Sequence, residues 1–128
     1  MTDKAMYDKG LNIRKEIFGA DTVERRMQAS GDFGAPLQQL INQYAYGEIW
    51  GREAIPRKMR SLLVIAMMCA ANRPHELRIH IKGALTNGCT KEEIQEVLLQ
   101  VAIYCGIPSS LDAHNIAQEI FTEQKVNY

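Results

Sequence analysis

The chain is poor in most of the features that announce a function. Acidic and basic side chains balance at fifteen each over 128 residues, with no long run of either sign, so the electrostatic footprint of a nucleic-acid or anionic-membrane partner is absent. Its longest apolar run, Leu62 to Ala71, is about half of what a bilayer crossing needs, and the opening MTDKAMYDKG lacks the apolar stretch of a signal peptide. A cytoplasmic protein without nucleic-acid or membrane partners is expected, its ligand small. Cysteine is scarce: Cys69, Cys89 and Cys105 are odd in number and widely spaced, which excludes a disulfide framework, a Cys-x-x-Cys pair and a zinc pattern. Each reads as a small buried or half-buried hydrophobe. No glycine-rich phosphate loop, no Ser-His-Asp order and no metal-binding cluster stands out.

Helical periodicity is abundant, and no stretch alternates as a half-buried strand does. The spacing predicts an all-α fold, one domain spanning residues 1–128, with seven helices in a single compact bundle. Tyr7, Leu11, Arg14 and Phe18 mark a first helix over Lys4 to Phe18, stopped by Gly19. A short second helix covers Asp21 to Ser30. Gly31 to Pro36 reads as a loop, and a third helix runs from Pro36 to about Trp50. After a break at Gly51 to Ile55, a fourth covers Arg57 to Asn72. It shows no polar face through its middle, so it is expected to be central and buried on several sides. Pro74 opens the fifth, which Asn87-Gly88 ends. Thr90 and Glu93 have capping-box spacing at the start of an amphipathic sixth, closed by Gly106-Ile107-Pro108. Ser109 and Asp112 offer a cap for the last helix.

Three constellations could carry chemistry. Tyr44-Ala-Tyr-Gly-Glu-Ile-Trp-Gly-Arg52 sets Tyr46, Glu48, Trp50 and Arg52 at the end of an apolar helix; they either wall a pocket or are a solvated carboxylate and a packed indole. Arg52, Arg57 and Arg60 lie close together, and guanidinium grips carboxylates with two parallel hydrogen bonds. Arg57 and Arg60 share a face near a helix N-terminus, which also attracts anions; the plainer reading is a solvated positive face. Glu76 and His80 are four residues apart and stack on one helical face bordering Ile81, where a carboxylate can orient an imidazole and burial can tune it. A structural histidine satisfied by its neighbour is the competing reading. His75 and His114 have weaker claims.

Taken together, Tyr7-x-x-Gly10-Leu11-x-x-Arg14, the Tyr44–Arg52 stretch, Arg60-Ser-Leu-x-x-Ile-Ala-Met67, Glu76-Leu-Arg-Ile-His80, Asn87-Gly-x-Thr90 and Tyr104-x-Gly-x-Pro108 resemble the carboxymuconolactone decarboxylase family over nearly the whole chain. The related alkylhydroperoxidases share the fold but carry Cys-x-x-Cys-x-x-x-His. With their histidine aligned on His80, Arg73 and Glu76 occupy the cysteine positions, so thiol peroxidase chemistry is disfavoured. The resemblance implies a cofactor-free carboxy-lyase without a metal. It would convert 4-carboxymuconolactone to 3-oxoadipate enol-lactone in protocatechuate breakdown, as a trimer or hexamer whose sites could lie between subunits. It implies His80 as general acid, Glu76 or Glu48 as its partner, Arg52, Arg57 or Arg60 as carboxylate clamp, and Trp50 and Tyr46 as pocket walls. Two other readings stay open: a paralogous decarboxylase or isomerase acting on another lactone or dicarboxylate, and a non-enzymatic helical oligomer that binds a small acid.

Overall fold

Apolar spacing of three and four produces helices throughout the computed structural model, which describes residues 3–126. Among these residues there are six α-helices, one π-helical segment and no strand, the all-α class expected. No helix among them is long and apolar enough to cross a membrane. The chain divides into two units, the first ending at Pro56 and the second beginning at Arg57.

In the first unit, α1 covers Lys4–Phe18. The Asp3 carboxylate accepts from the Met6 amide at 3.1 Å, and the helix ends at Gly19, whose φ of 92° suits glycine. Helix α2 covers Ala20–Leu40. The loop expected over Gly31 to Pro36 is not there: only Gly31 leaves helical dihedrals (φ 58°, ψ −161°), and the helix resumes at once. One residue in a left-handed conformation is enough to redirect the rod, and Pro36 sits inside the resumed helix at the loss of one backbone hydrogen bond. From Ile41 to Ile49 the winding widens to a π-helix, its last turn closed by the Trp50 amide on Ala45 O at 2.9 Å.

Helix α1 packs directly on that segment. A Cβ on Gly10 would stand 1.6 Å from Asn42 O, and one on Gly47 would stand 2.4 Å from Met6 O, so the two backbones touch. The buried face of α1 is therefore Gly10, Ile13, Arg14 and Ile17; of the stripe read from sequence, Tyr7, Leu11 and Phe18 are only half-buried. Arg14, 6% exposed, donates to Gln38 Oε1 at 2.7 Å and Asn42 Oδ1 at 3.1 Å.

In the second unit, α3 is Arg57–Ala70, α4 Pro74–Thr86, α5 Lys91–Cys105 and α6 Ile107–Glu123. Ile65, Ile81, Ala84, Ile94, Leu98 and Ile120 form the centre of its core, each essentially inaccessible. The Thr90–Glu93 capping box is present in both directions, at 3.0 and 2.9 Å. Helix α6 starts at Ile107, with Pro108 in its first turn, two residues before the cap expected at Ser109. The Ser109 hydroxyl instead donates to Cys69 O at 2.9 Å, where α3 ends.

Helix α3 departs from expectation in one respect. It buries one stripe, Ser61, Ile65 and Cys69, while Leu63 and Met67 remain 46% and 56% exposed. Its neighbours within the unit cover a single face, so the outer apolar face borders a cavity of about 460 Å³ with Met59, Val97 and Tyr104. Cys105 lines the same cavity and is exposed, contrary to the half-buried position expected of it.

Candidate active site

Pro74 in the first turn starts α4 because its fixed φ suits a helix and its missing amide would have had no partner there. Leu77, Ile81 and Ala84 then anchor the helix in the core, which sets Glu76 and His80 side by side one turn apart. The imidazole is nearly enclosed, its side chain 11% exposed, and the Glu76 carboxylate is 51% exposed. His80 Nε2 and Glu76 Oε2 are 4.0 Å apart, beyond hydrogen-bond length yet close enough for the carboxylate to attract an imidazolium. An enclosed imidazole beside a solvent-linked carboxylate can pass a proton to a bound molecule and be recharged from water.

Arg57 and Arg60 lie half-buried in the opening turns of α3. On the same helix Ser61, 1% exposed, accepts a hydrogen bond from Asn87 Nδ2 at 2.9 Å, which ties the end of α4 to α3. Asn87 reads in sequence as a helix terminator, so its side-chain role was hidden; the legible signal was a serine opening an otherwise apolar run.

The first unit holds the remaining candidates. Tyr46 and Trp50 are both 7% exposed and stack with centroids 5.6 Å apart, and Phe18 meets Tyr46 edge-on at 5.8 Å. Glu48 and Arg52 are exposed. The structure thus brings together Glu76 with His80 and Tyr46 with Trp50, and places Arg57 and Arg60 three residues apart on α3. Arg14 stands in the first-helix stripe and in the Tyr7–Arg14 motif, but its buried partners Gln38 and Asn42 lie 24 and 28 residues away and no local spacing signals them.

The buried thiols are unsuited to nucleophilic work. Burial pushes Cys69 up to about 11, with the nearby Cys105 adding to it. Burial likewise raises Cys89 to about 11, helped by Glu93, and its Sγ donates to Lys58 O at 3.4 Å. Both stay protonated near neutrality, where a thiolate would be needed. Among the described residues no three His, Cys, Asp or Glu side chains gather as a metal ion would require.

The Glu76–His80 pair on α4 is of the kind that acid–base chemistry uses. Comparison with known proteins narrows this. The profile of the carboxymuconolactone decarboxylase family matches residues 35–119, about two-thirds of the chain. A 4-carboxymuconolactone decarboxylase of Acinetobacter baylyi is 38% identical over 132 aligned positions, covering 99% of this chain and 98% of the relative. The nitrosuccinic acid decarboxylase of Metarhizium robertsii is 35% identical over 94% of this chain and 84% of its own length. The chain belongs to the carboxymuconolactone decarboxylase family.

Proposed function

We propose that this protein is a carboxy-lyase that converts 4-carboxymuconolactone to 3-oxoadipate enol-lactone with release of carbon dioxide, without a cofactor, in protocatechuate breakdown. The observation that carries the reading is the enclosed His80 with Glu76 beside it on α4, in a chain similar from end to end to a 4-carboxymuconolactone decarboxylase.

The substrate explains why so little apparatus suffices. Its departing carboxylate is joined to the lactone carbonyl through a carbon–carbon double bond. When the bond to carbon dioxide breaks, the electron pair moves into that carbonyl as a dienolate, and the product forms when the carbon next to the carbonyl takes a proton. The protein must hold the acetate arm, stabilise the developing oxyanion and deliver that proton. His80 is the general acid, and Glu76 orients and recharges it. Arg57 or Arg60, on the same unit as His80, grips the acetate carboxylate. Assembly into a trimer or hexamer is part of the proposal, supported by the exposed apolar face of α3 at Leu63 and Met67, as is residence in the cytoplasm.

A general acid contributes roughly a hundredfold or more to rate, so His80→Gln should lower kcat by about that factor while the melting temperature stays near wild type. Retention of more than about a tenth of the turnover would remove His80 from the role.

A second reading, a paralogous decarboxylase on another dicarboxylate, has its own support in the similarity to the nitrosuccinic acid decarboxylase. A nitro group beside a carboxylate is an electron sink of the same kind. Turnover of nitrosuccinate with inertness toward 4-carboxymuconolactone would favour it.

A further inference from the structure

The turn between α3 and α4 borders a cavity of about 270 Å³, walled on its other side by the first turns of α6. It lies wholly within the second unit. The Ser61–Asn87 bond marks the opposite end of the α3–α4 pair, so the cavity is remote along α3 from Arg57 and Arg60, and neither Glu76 nor His80 lines it.

Backbone bonds fix its frame. The Asn72 amide donates to Cys69 O at 3.2 Å and the Arg73 amide to Met68 O at 2.9 Å. Asn72 sits at φ 56°, a left-handed conformation that asparagine adopts more readily than most residues. The Ser109 hydroxyl, donating to Cys69 O, pins the start of α6 to the same turn. On this frame stand Arg73 and Asp112, one charge of each sign and the only charged side chains among the described residues that line the cavity, together with the amides of Asn72 and Asn115. All four side chains are exposed, and among the described residues none of them is engaged in a hydrogen bond or an ion pair. Arg73 and Asp112 thus border one recess from different elements without neutralising each other. Met68 and Ile116, both half-buried, supply its accessible apolar wall.

We propose that this cavity binds a small zwitterion, a free α-amino acid with a short apolar side chain. The ligand's carboxylate takes two parallel hydrogen bonds from the Arg73 guanidinium. Its ammonium donates to the Asp112 carboxylate, and its side chain lies against Met68 and Ile116. A plain carboxylic acid would set its charge against Asp112, and a plain amine against Arg73, so each meets one attraction and one repulsion. Binding here does not depend on the decarboxylation proposed above.

The test is a titration of the full-length protein with L-norvaline, followed by backbone amide shifts. Pentanoate and butylamine serve as comparisons, since each keeps the hydrocarbon chain and lacks one of the two charges. Saturable movement of Asn72, Arg73, Asp112 and Asn115 is expected, with a Kd of about 1 mM for so small a ligand. Both analogues should bind about tenfold more weakly or worse, as should norvaline to Arg73→Gln and, separately, to Asp112→Asn, since one charge-assisted contact is worth that much. The Arg73 side chain does not cap α4 and Asp112 is exposed, so both variants keep the fold, which their melting temperatures check. His80→Gln should leave the titration unchanged, which keeps a failure here distinct from a failure of the proposed reaction. No saturable shift by about 10 mM, an analogue that binds as tightly as norvaline, indifference to either variant, or loss of binding in His80→Gln would each overturn the proposal.

Discussion

In the first unit, α1 meets the π-helical segment backbone to backbone at Gly10 and Gly47, around the Arg14 guanidinium and the side chains of Gln38 and Asn42. In the second, α3 to α6 meet through branched aliphatic side chains centred on Ile65, Ile81 and Ile94. The first arrangement leaves no room for an added atom and fixes its register by buried hydrogen bonds, which are costly to leave half-made. The second gains its stability from area and tolerates exchange between side chains of similar volume. The better-defined candidate pair, Glu76 and His80, stands on the aliphatic unit, whose rigid core holds α4 through Leu77 and Ile81 on either side of the histidine.

The contrast is broken most sharply at Gly10. A methyl group 1.6 Å from Asn42 O cannot be accommodated by a side-chain rotation, because its neighbour is backbone. Gly10→Ala should cost about 4 kcal/mol or more, seen in urea denaturation and as lost hydrogen-exchange protection in α1 and the Ile41–Ile49 segment. A variant within about 1 kcal/mol of wild type would show that this contact yields. Next in size is Ile81→Ala in the other unit, which removes aliphatic volume from a fully enclosed site. It should cost about 2–5 kcal/mol, whereas Ile81→Val should cost about 1 kcal/mol in the same melts; equal losses would mean that shape rather than volume governs this core as well.

The smallest effect concerns pH. Cys69 and Cys89 both lie in the aliphatic unit, raised to about 11 in the fold against an ordinary value of about 9. An unfolded thiol ionises first, so stability is intact below about pH 9 and declines as the pH rises toward 11. The double variant Cys69→Ala, Cys89→Ala should flatten that part of the stability–pH profile, and an unchanged slope would deny the thiols any part in it.

The same contrast explains what could be read from sequence. The aliphatic unit announces itself, because its helices are amphipathic at the expected period and punctuated by Pro74, the Thr90–Glu93 box and Pro108. In the first unit the interior is polar and glycine-based, so hydrophobic spacing pointed to Tyr7, Leu11 and Phe18 where Gly10, Ile13 and Ile17 are buried. Gly31 to Pro36 suggested a loop because two glycines and a proline usually do, yet a single residue made the turn. The π winding has no pattern of its own in the sequence. At the candidate site, the four-residue spacing of Glu76 and His80 was legible since helix geometry alone makes them neighbours. The Ser61–Asn87 bond joins residues 26 apart, and no local spacing reveals such a contact.

The central claim is the decarboxylation itself. Purified protein in chelator and without added thiol should be given enzymatically generated 4-carboxymuconolactone, with ultraviolet absorbance reporting enol-lactone and a second readout reporting carbon dioxide. The account predicts stoichiometric appearance of both at about one turnover per second or faster, the pace of a working enzyme. A folded protein that releases neither would contradict it.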